Sequence, residues 1–349
     1  MHSVNLALHV VTGLLLLGLL TRLSGNSTLA LCVVVIFALH PVQAESVMWI
    51  SERKGLLSAL FTVLSLRAYL TSLERPSVSI AFLTSMLFYI LATLSKASGI
   101  LIPVLFLALE LMYSKIALRA SLKRLLPFLI VCVGLSTLRI FAYSSATGTS
   151  GFGILENIRW MEVPFKAFGA IEIYLKMFVF PWGLSAIYPD FQMTVTSISV
   201  SIICAIAVTL YSIKVLKEKN RFRVLCWVWF LIFLLPVLHL VPRINYVNDR
   251  YLYLPIIGLS GLIFSYIKPQ YQRMIGFASV VLMSLQTIAV TDHWTTSMKL
   301  WANAVSIVPE NNIALSNQAL EFQRRGQLEA AATAYEKILQ RGNDTSTRN

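Results

Sequence analysis

The sequence predicts an all-α, polytopic membrane protein, and three observations carry that prediction: the composition, the apolar runs and the placement of charge between them. Of its 349 residues 57% are hydrophobic and 13% charged, with a mean hydropathy of +0.72. That is far more apolar surface than a soluble domain of this length can bury. About ten apolar runs, taken with their flanks, are long enough to cross a bilayer as helices. They cover 3–23, 28–39, 55–73, 78–94, 99–113, 122–143, 197–215, 224–241, 252–267 and 274–290. Basic residues cluster at alternate connections: Arg22; Arg67 and Arg75; Lys115, Arg119, Lys123 and Arg124; Lys214, Lys217, Lys219, Arg221 and Arg223; Lys268 and Arg273. The positive-inside rule makes these the cytoplasmic loops.

Following that alternation along the chain puts residues 143 and 197 on the same, outer side. The further apolar stretch 167–184 carries Glu172, Lys176, Pro181 and Gly183, and is therefore expected to lie in the outer interface rather than to cross. The same threading places both the N-terminus and the C-terminal tail outside. An outer start without a signal peptide implies one further helix ahead of Met1. The net charge of +13 reports topology and lipid headgroups rather than nucleic acid, because no basic run is interleaved with aromatics outside the apolar segments.

Six cations break the rule. Arg53, Lys54, Lys96, Arg139, Arg243 and Arg250 fall at the outer ends of spans, where charge is expensive and marks function. The densest polar stretch runs from 40 to 54 and contains His40, Glu45, Glu52, Arg53 and Lys54 between two apolar runs. With Tyr174, Asp249 and the aromatics Trp49, Tyr251 and Tyr253, these residues form a candidate outer-facing cavity. Cations at headgroup depth suit a phosphate, through charge-assisted and, for Arg, bidentate hydrogen bonds.

The motifs then resemble a known family. His40-Pro41-Val42 with Glu45, Trp49-Ile50-Ser51 and Arg53-Lys54-Gly55-Leu56-Leu57-Ser58 are similar to the hallmark of the transmembrane-and-TPR-containing (TMTC) proteins and their bacterial relatives. Leu94-Ser95-Lys96, Tyr174-Leu175, Pro181-Trp182-Gly183-Leu184-Ser185, Tyr188-Pro189, Leu235-Pro236 and Asn248-Asp249-Arg250-Tyr251-Leu252-Tyr253-Leu254-Pro255 follow in the family's order. The resemblance implies a GT-C-type glycosyltransferase. Such an enzyme takes a sugar, commonly mannose, from a polyprenyl-phosphate donor to a protein or glycan hydroxyl on the luminal or periplasmic face. His40, Glu45, Arg53, Lys54, Lys96, Tyr174, Asp249, Arg250 and Tyr251 are then the donor-binding candidates. The sequence departs from the family twice. The opening Met1-His2-Ser3-Val4-Asn5-Leu6-Ala7-Leu8-His9 resembles the family's second helix, so the first outer loop with its acidic residue is not supplied, and Ala97 stands where Glu is common. Asp190 and Glu162 are the outer carboxylates that could replace the missing base. A Mg or Mn ion held by carboxylates is a possible cofactor, with its usual ligand loop absent.

The tail reads as a separate unit. Leu315, Ala319, Phe322, Gly326, Ala331, Tyr335, Ile338 and Leu339 fit one tetratricopeptide repeat, and Trp301, Ala304 and Pro309 fit the second helix of a preceding one. Residues 1–293 are thus a membrane domain and 294–349 a repeat unit able to hold an acceptor protein or peptide. The four cysteines, Cys32, Cys132, Cys204 and Cys226, have no paired spacing and read as packing residues. Scattered histidines exclude a histidine metal site. Gly13, Gly18 and Gly25 read as helix-packing positions, and Gly148, Gly151 and Gly153 as loop rather than nucleotide cradle. The expected function is a glycosyltransferase of a bacterial inner membrane or the ER membrane, with its site and tail on the outer face. A non-catalytic adaptor presenting the repeat, and more weakly a transporter of lipid-linked sugar, are the alternatives.

Overall fold

The computed structural model describes residues 2–74, 79–114, 117–147, 159–239 and 245–346. Arg75, Lys115, Gly148, Gly151, Gly153 and Arg243 lie outside the described residues. Among the described residues the regular structure is all helical: α1 (His2–Ser24), α2 (Ser27–Leu39), α3 (Ala44–Met48), α4 (Arg53–Ser72), α5 (Ile80–Ser95), α6 (Ile102–Tyr113), α7 (Leu118–Thr147) and α8 (Val163–Val179) come first. There follow α9 (Val195–Lys217), α10 (Arg221–Leu234), α11 (Pro255–Tyr266), α12 (Pro269–His293), α13 (Ser297–Ile307), α14 (Asn312–Arg324) and α15 (Leu328–Ser346). Among the described residues each of the ten apolar runs lies mainly on one of these helices. The run 224–241 stops early as a helix, at Leu234, because Pro236 cannot continue it.

Among the described residues five helices are long and apolar enough to cross a membrane: His2–Ser24, Ile50–Ser72, Leu118–Ala142, Val195–Lys217 and Pro269–His293. The pair Ser27–Leu39 and Pro41–Met48, bent by 52°, counts as a sixth if it is one span. Ile80–Ser95, Ala97–Tyr113 and Pro255–Tyr266 are shorter apolar helices. This is the architecture of a polytopic helical membrane protein.

Helix α1 defines two ends of the bundle. Near its start Asn5 donates to the carbonyls of Val47 and Trp49. Near its finish Arg22 pairs with Glu74 at 2.6 Å, and the Leu23 carbonyl accepts from Tyr113. Arg53, Lys96 and Arg250 lie at the first end. Arg124, bonded to Ser72, and the Arg223–Glu218–Tyr266 cluster lie at the second. The alternation of charge in the sequence is thus a sorting of charge between the two ends. Helix α8 stays with the first end: its Lys166 carbonyl accepts from Tyr246 and its Phe178 carbonyl from His40.

Close approach is achieved at glycine. A Cβ on Gly258 of α11 would sit 2.7 Å from the Phe230 backbone nitrogen of α10, so these helices meet backbone to backbone. Gly18 makes room for the Arg67 guanidinium, which donates to the Leu15 carbonyl at 2.8 Å. Gly25 is not a packing position: it has φ +65° with open space around it, and turns the chain between α1 and α2. At the second end Tyr69 donates to the fully buried Glu110, inside an aromatic cluster with Phe82, Phe106 and Phe128. Tyr69→Phe removes that donor from a buried carboxylate. It is expected to cost about 1–3 kcal/mol, seen as a lower melting temperature in detergent, and equal melting of the two proteins would refute this account.

The three C-terminal helices form their own small core. Leu315, Ala319, Ala331 and Ala334 are buried, and Gly326 takes φ +74° between α14 and α15. Ala334 faces inward, while Tyr335 is 37% and Leu339 67% exposed.

Candidate functional site

Three breaks between helices meet at the first end. The first follows α2. His40 precedes Pro41, which disfavours helical backbone at His40, and Pro41 opens a 3-10 turn over Pro41–Gln43. The short α3 then leaves at an angle and carries Glu45 into the protein. The second break follows α5, where Lys96 is the extended cap before the turn Ala97–Leu101. The third is the turn Asp249–Leu252, just before Pro255 starts α11.

Side chains from these breaks form a chain of alternating charge. Glu45 is 1% exposed. Its Oε2 accepts the Arg250 backbone N–H at 2.7 Å, and its Oε1 accepts from the Arg250 guanidinium. The guanidinium lies 4.8 Å from the Trp49 ring and 5.1 Å from the Tyr251 ring. Its Nε is 4.0 Å from Glu52, which is 3% exposed and accepts from Lys96 on its other oxygen. On the far side of Glu45, the buried Asp249 accepts from the Tyr188 hydroxyl. A cavity of about 40 Å³ opens between Glu52, Lys96, Arg250, Tyr251 and Ser46. The Ser46 hydroxyl is buried there with no hydrogen-bond partner, an unmet demand for a water or a ligand oxygen.

The remaining candidates are distributed around this centre. His40 and Tyr174 are buried struts. His40 Nε2–H donates to the Phe178 carbonyl at 2.9 Å while Nδ1 accepts from Val42, so both ring nitrogens are engaged in a neutral imidazole. Tyr174 accepts from the Asn248 backbone at 3.4 Å. Arg53 donates to Asn5 at 3.1 Å, and Lys54 is exposed. Arg139 donates to the Thr93 and Leu94 carbonyls and so caps α5 rather than lining the cavity. Asp190 lies in a neighbouring groove of about 370 Å³ that includes Tyr188, Glu172 and Lys176. Glu162 is at the start of α8, where Lys166 and Arg159 hold its carboxyl below the usual range. Among the described residues no group of three His, Cys, Asp or Glu side chains is placed to hold a metal ion.

Comparison with known proteins gives one distant relative. Over 328 residues the chain is 22% identical to a protein O-mannosyl-transferase of Caenorhabditis elegans, covering 89% of this chain and 46% of that protein. The similarity is to a glycosyltransferase. The chain spans about half the length of the curated relative it matches. No protein-family model and no solved structure matches.

Two groups of residues around the site escape a reading of the sequence. Glu52 was visible within the polar stretch, but its place between Lys96 and Arg250 depends on helices far apart in the chain. Asn5 and His9 lie within the apolar helix α1 and were not among the candidate site residues. They share one face of α1 with Thr12, and His9 bonds Tyr253 at 2.8 Å and the Ala38 carbonyl at 3.2 Å. A polar set at i, i+4 and i+7 is the available signal.

Burial, and then the charge of Glu45, push the Asp249 carboxyl well above the usual range. A raised folded-state pKa means that the folded protein holds its proton more tightly. The resulting stability is present below the unfolded carboxyl pKa and is lost as pH rises through the folded value. Asp249→Asn, which is neutral throughout, is expected to flatten the fall in melting temperature with rising pH above about 4. An unchanged slope would contradict it.

Proposed function

We propose that this chain is a membrane glycosyltransferase that moves a sugar, with mannose the first choice, from a polyprenyl-phosphate donor to a hydroxyl of a protein or glycan. The observation that carries this reading is Arg250, locked by Glu45 and facing a cavity shared with Lys96 and Glu52. The distant similarity to an O-mannosyl-transferase supports the same class.

In the reaction the bond from sugar C1 to the phosphate oxygen breaks, and a bond from C1 to the acceptor oxygen forms. The acceptor proton passes to a carboxylate, and polyprenyl phosphate leaves as the anion. Lys96 and Arg250 offer positive charge where that anion develops. Glu52 is the carboxylate in the cavity and takes the role of base that the sequence left open between Asp190 and Glu162. No metal ion is assigned to the cavity.

The bundle end that holds Arg250 then faces the lumen or periplasm, and α8 lies along that face. Residues 1–293 serve as the membrane domain, and 294–349 as a tetratricopeptide unit that recruits the acceptor. The pairing of both cations with carboxylates favours a second reading, a non-catalytic adaptor that keeps the fold and presents its C-terminal helices.

The test is transfer of radiolabelled mannose from polyprenyl-phosphate-mannose in membranes carrying the chain. Incorporation above empty membranes supports the enzyme. Folded protein without incorporation, across several sugar donors and peptide acceptors, supports the adaptor.

A further inference from the structure

At the bundle end opposite Arg250, a groove of about 630 Å³ runs between α1, α2 and α12. Its mouth is polar: Thr21, Ser27, Thr28 and Arg273 stand beside the end of α1 marked by Arg22. Its walls are apolar, formed by Leu17, Leu31, Val35, Phe277 and Val280. The groove lies beside a tight seam, since a Cβ on Gly276 would be 2.7 Å from Cys32 Sγ. From Arg273 to Val280 the apolar wall extends about 10 Å toward the middle of the bundle. A cation and hydroxyls above a hydrocarbon slot make an amphiphile-shaped site, and its volume lies in the range of ligand pockets.

Charge decides the headgroup. Neither α1 nor α2 contains an Asp or Glu, and the only acid on α12, Asp292, is at the helix's other end and pairs with Lys299 at 2.6 Å. Among the described residues no carboxylate pairs with Arg273. A guanidinium at headgroup depth with no internal counter-ion binds phosphate by two parallel hydrogen bonds. We infer that this groove binds one anionic phospholipid, its phosphate on Arg273 and an acyl chain against Leu31 and Phe277. The inference does not rest on the proposed transferase activity.

Native mass spectrometry of the full chain released from nanodiscs tests it, with phosphatidylglycerol and phosphatidylcholine in equal amounts. The expected result is one retained lipid, with phosphatidylglycerol favoured about fivefold, the effect of one basic residue on an anionic headgroup. R273Q should remove the preference while retaining lipid. Leu31→Trp, a change at a residue already 52% exposed, should fill the slot and lower retention of both lipids. Equal retention in the parent protein, a preference that survives R273Q, or a lipid-free dimer in place of the lipid-bound species would each overturn the inference.

Discussion

Replacing Arg250 with alanine is expected to remove sugar transfer and to weaken the fold together. The side chain supplies the cavity's best-fixed positive charge, and loss of one such electrostatic contact at a developing anion lowers turnover by about 10²–10³. It is also the partner of Glu45, which would remain buried with only the backbone N–H of residue 250 to bond. Stranding one member of a buried ion pair costs about 3–5 kcal/mol. The two effects separate in Arg250→Lys, which keeps the charge but loses the planar fork. Lysine should recover most of the melting temperature and little of the transfer. Mannose incorporation and thermal melting on the same membranes read both, and an alanine variant with parental transfer would remove Arg250 from the site.

Glu52→Gln should separate binding from chemistry. Glutamine keeps the shape, and its carbonyl oxygen can still accept from Lys96, so the cavity survives and the donor continues to bind. What is lost is the ability to take a proton, a contribution of about 10²–10⁴ for a positioned base. The expected result is transfer reduced by that factor, with saturation by polyprenyl-phosphate-mannose at an unchanged donor concentration. Unchanged turnover would assign Glu52 to structure alone and pass the role of base to another carboxylate.

Much of this arrangement could be read from the sequence because the helices and the breaks between them are local events. Pro41, Pro236 and Pro255 mark breaks that the structure keeps, and the apolar runs lie mainly on helices. Glu45, Lys96, Asp249 and Arg250 stood out as charges at the ends of apolar segments, and they meet. Their pairing was not legible, because Glu45 and Arg250 are 205 residues apart and nothing local fixes which carboxylate faces which cation. The same limit misdirected Arg139, whose charge marked it for the cavity while its reach from α7 takes it to the carbonyls that end α5. Lys54 shows the converse: adjacent to Arg53 in sequence, it is turned about 100° around the helix axis and faces outward.

One loop ties two parts of the protein together. Asn303 of α13 donates to the Leu184 carbonyl at 2.9 Å, and Ile187 is buried against Ala304 and Ala314. The next residue, Tyr188, is the one that bonds Asp249. The C-terminal helices therefore brace the loop that carries Tyr188, and side-chain contacts join Asp249, beside Arg250, to α13 and α14 through that one short segment.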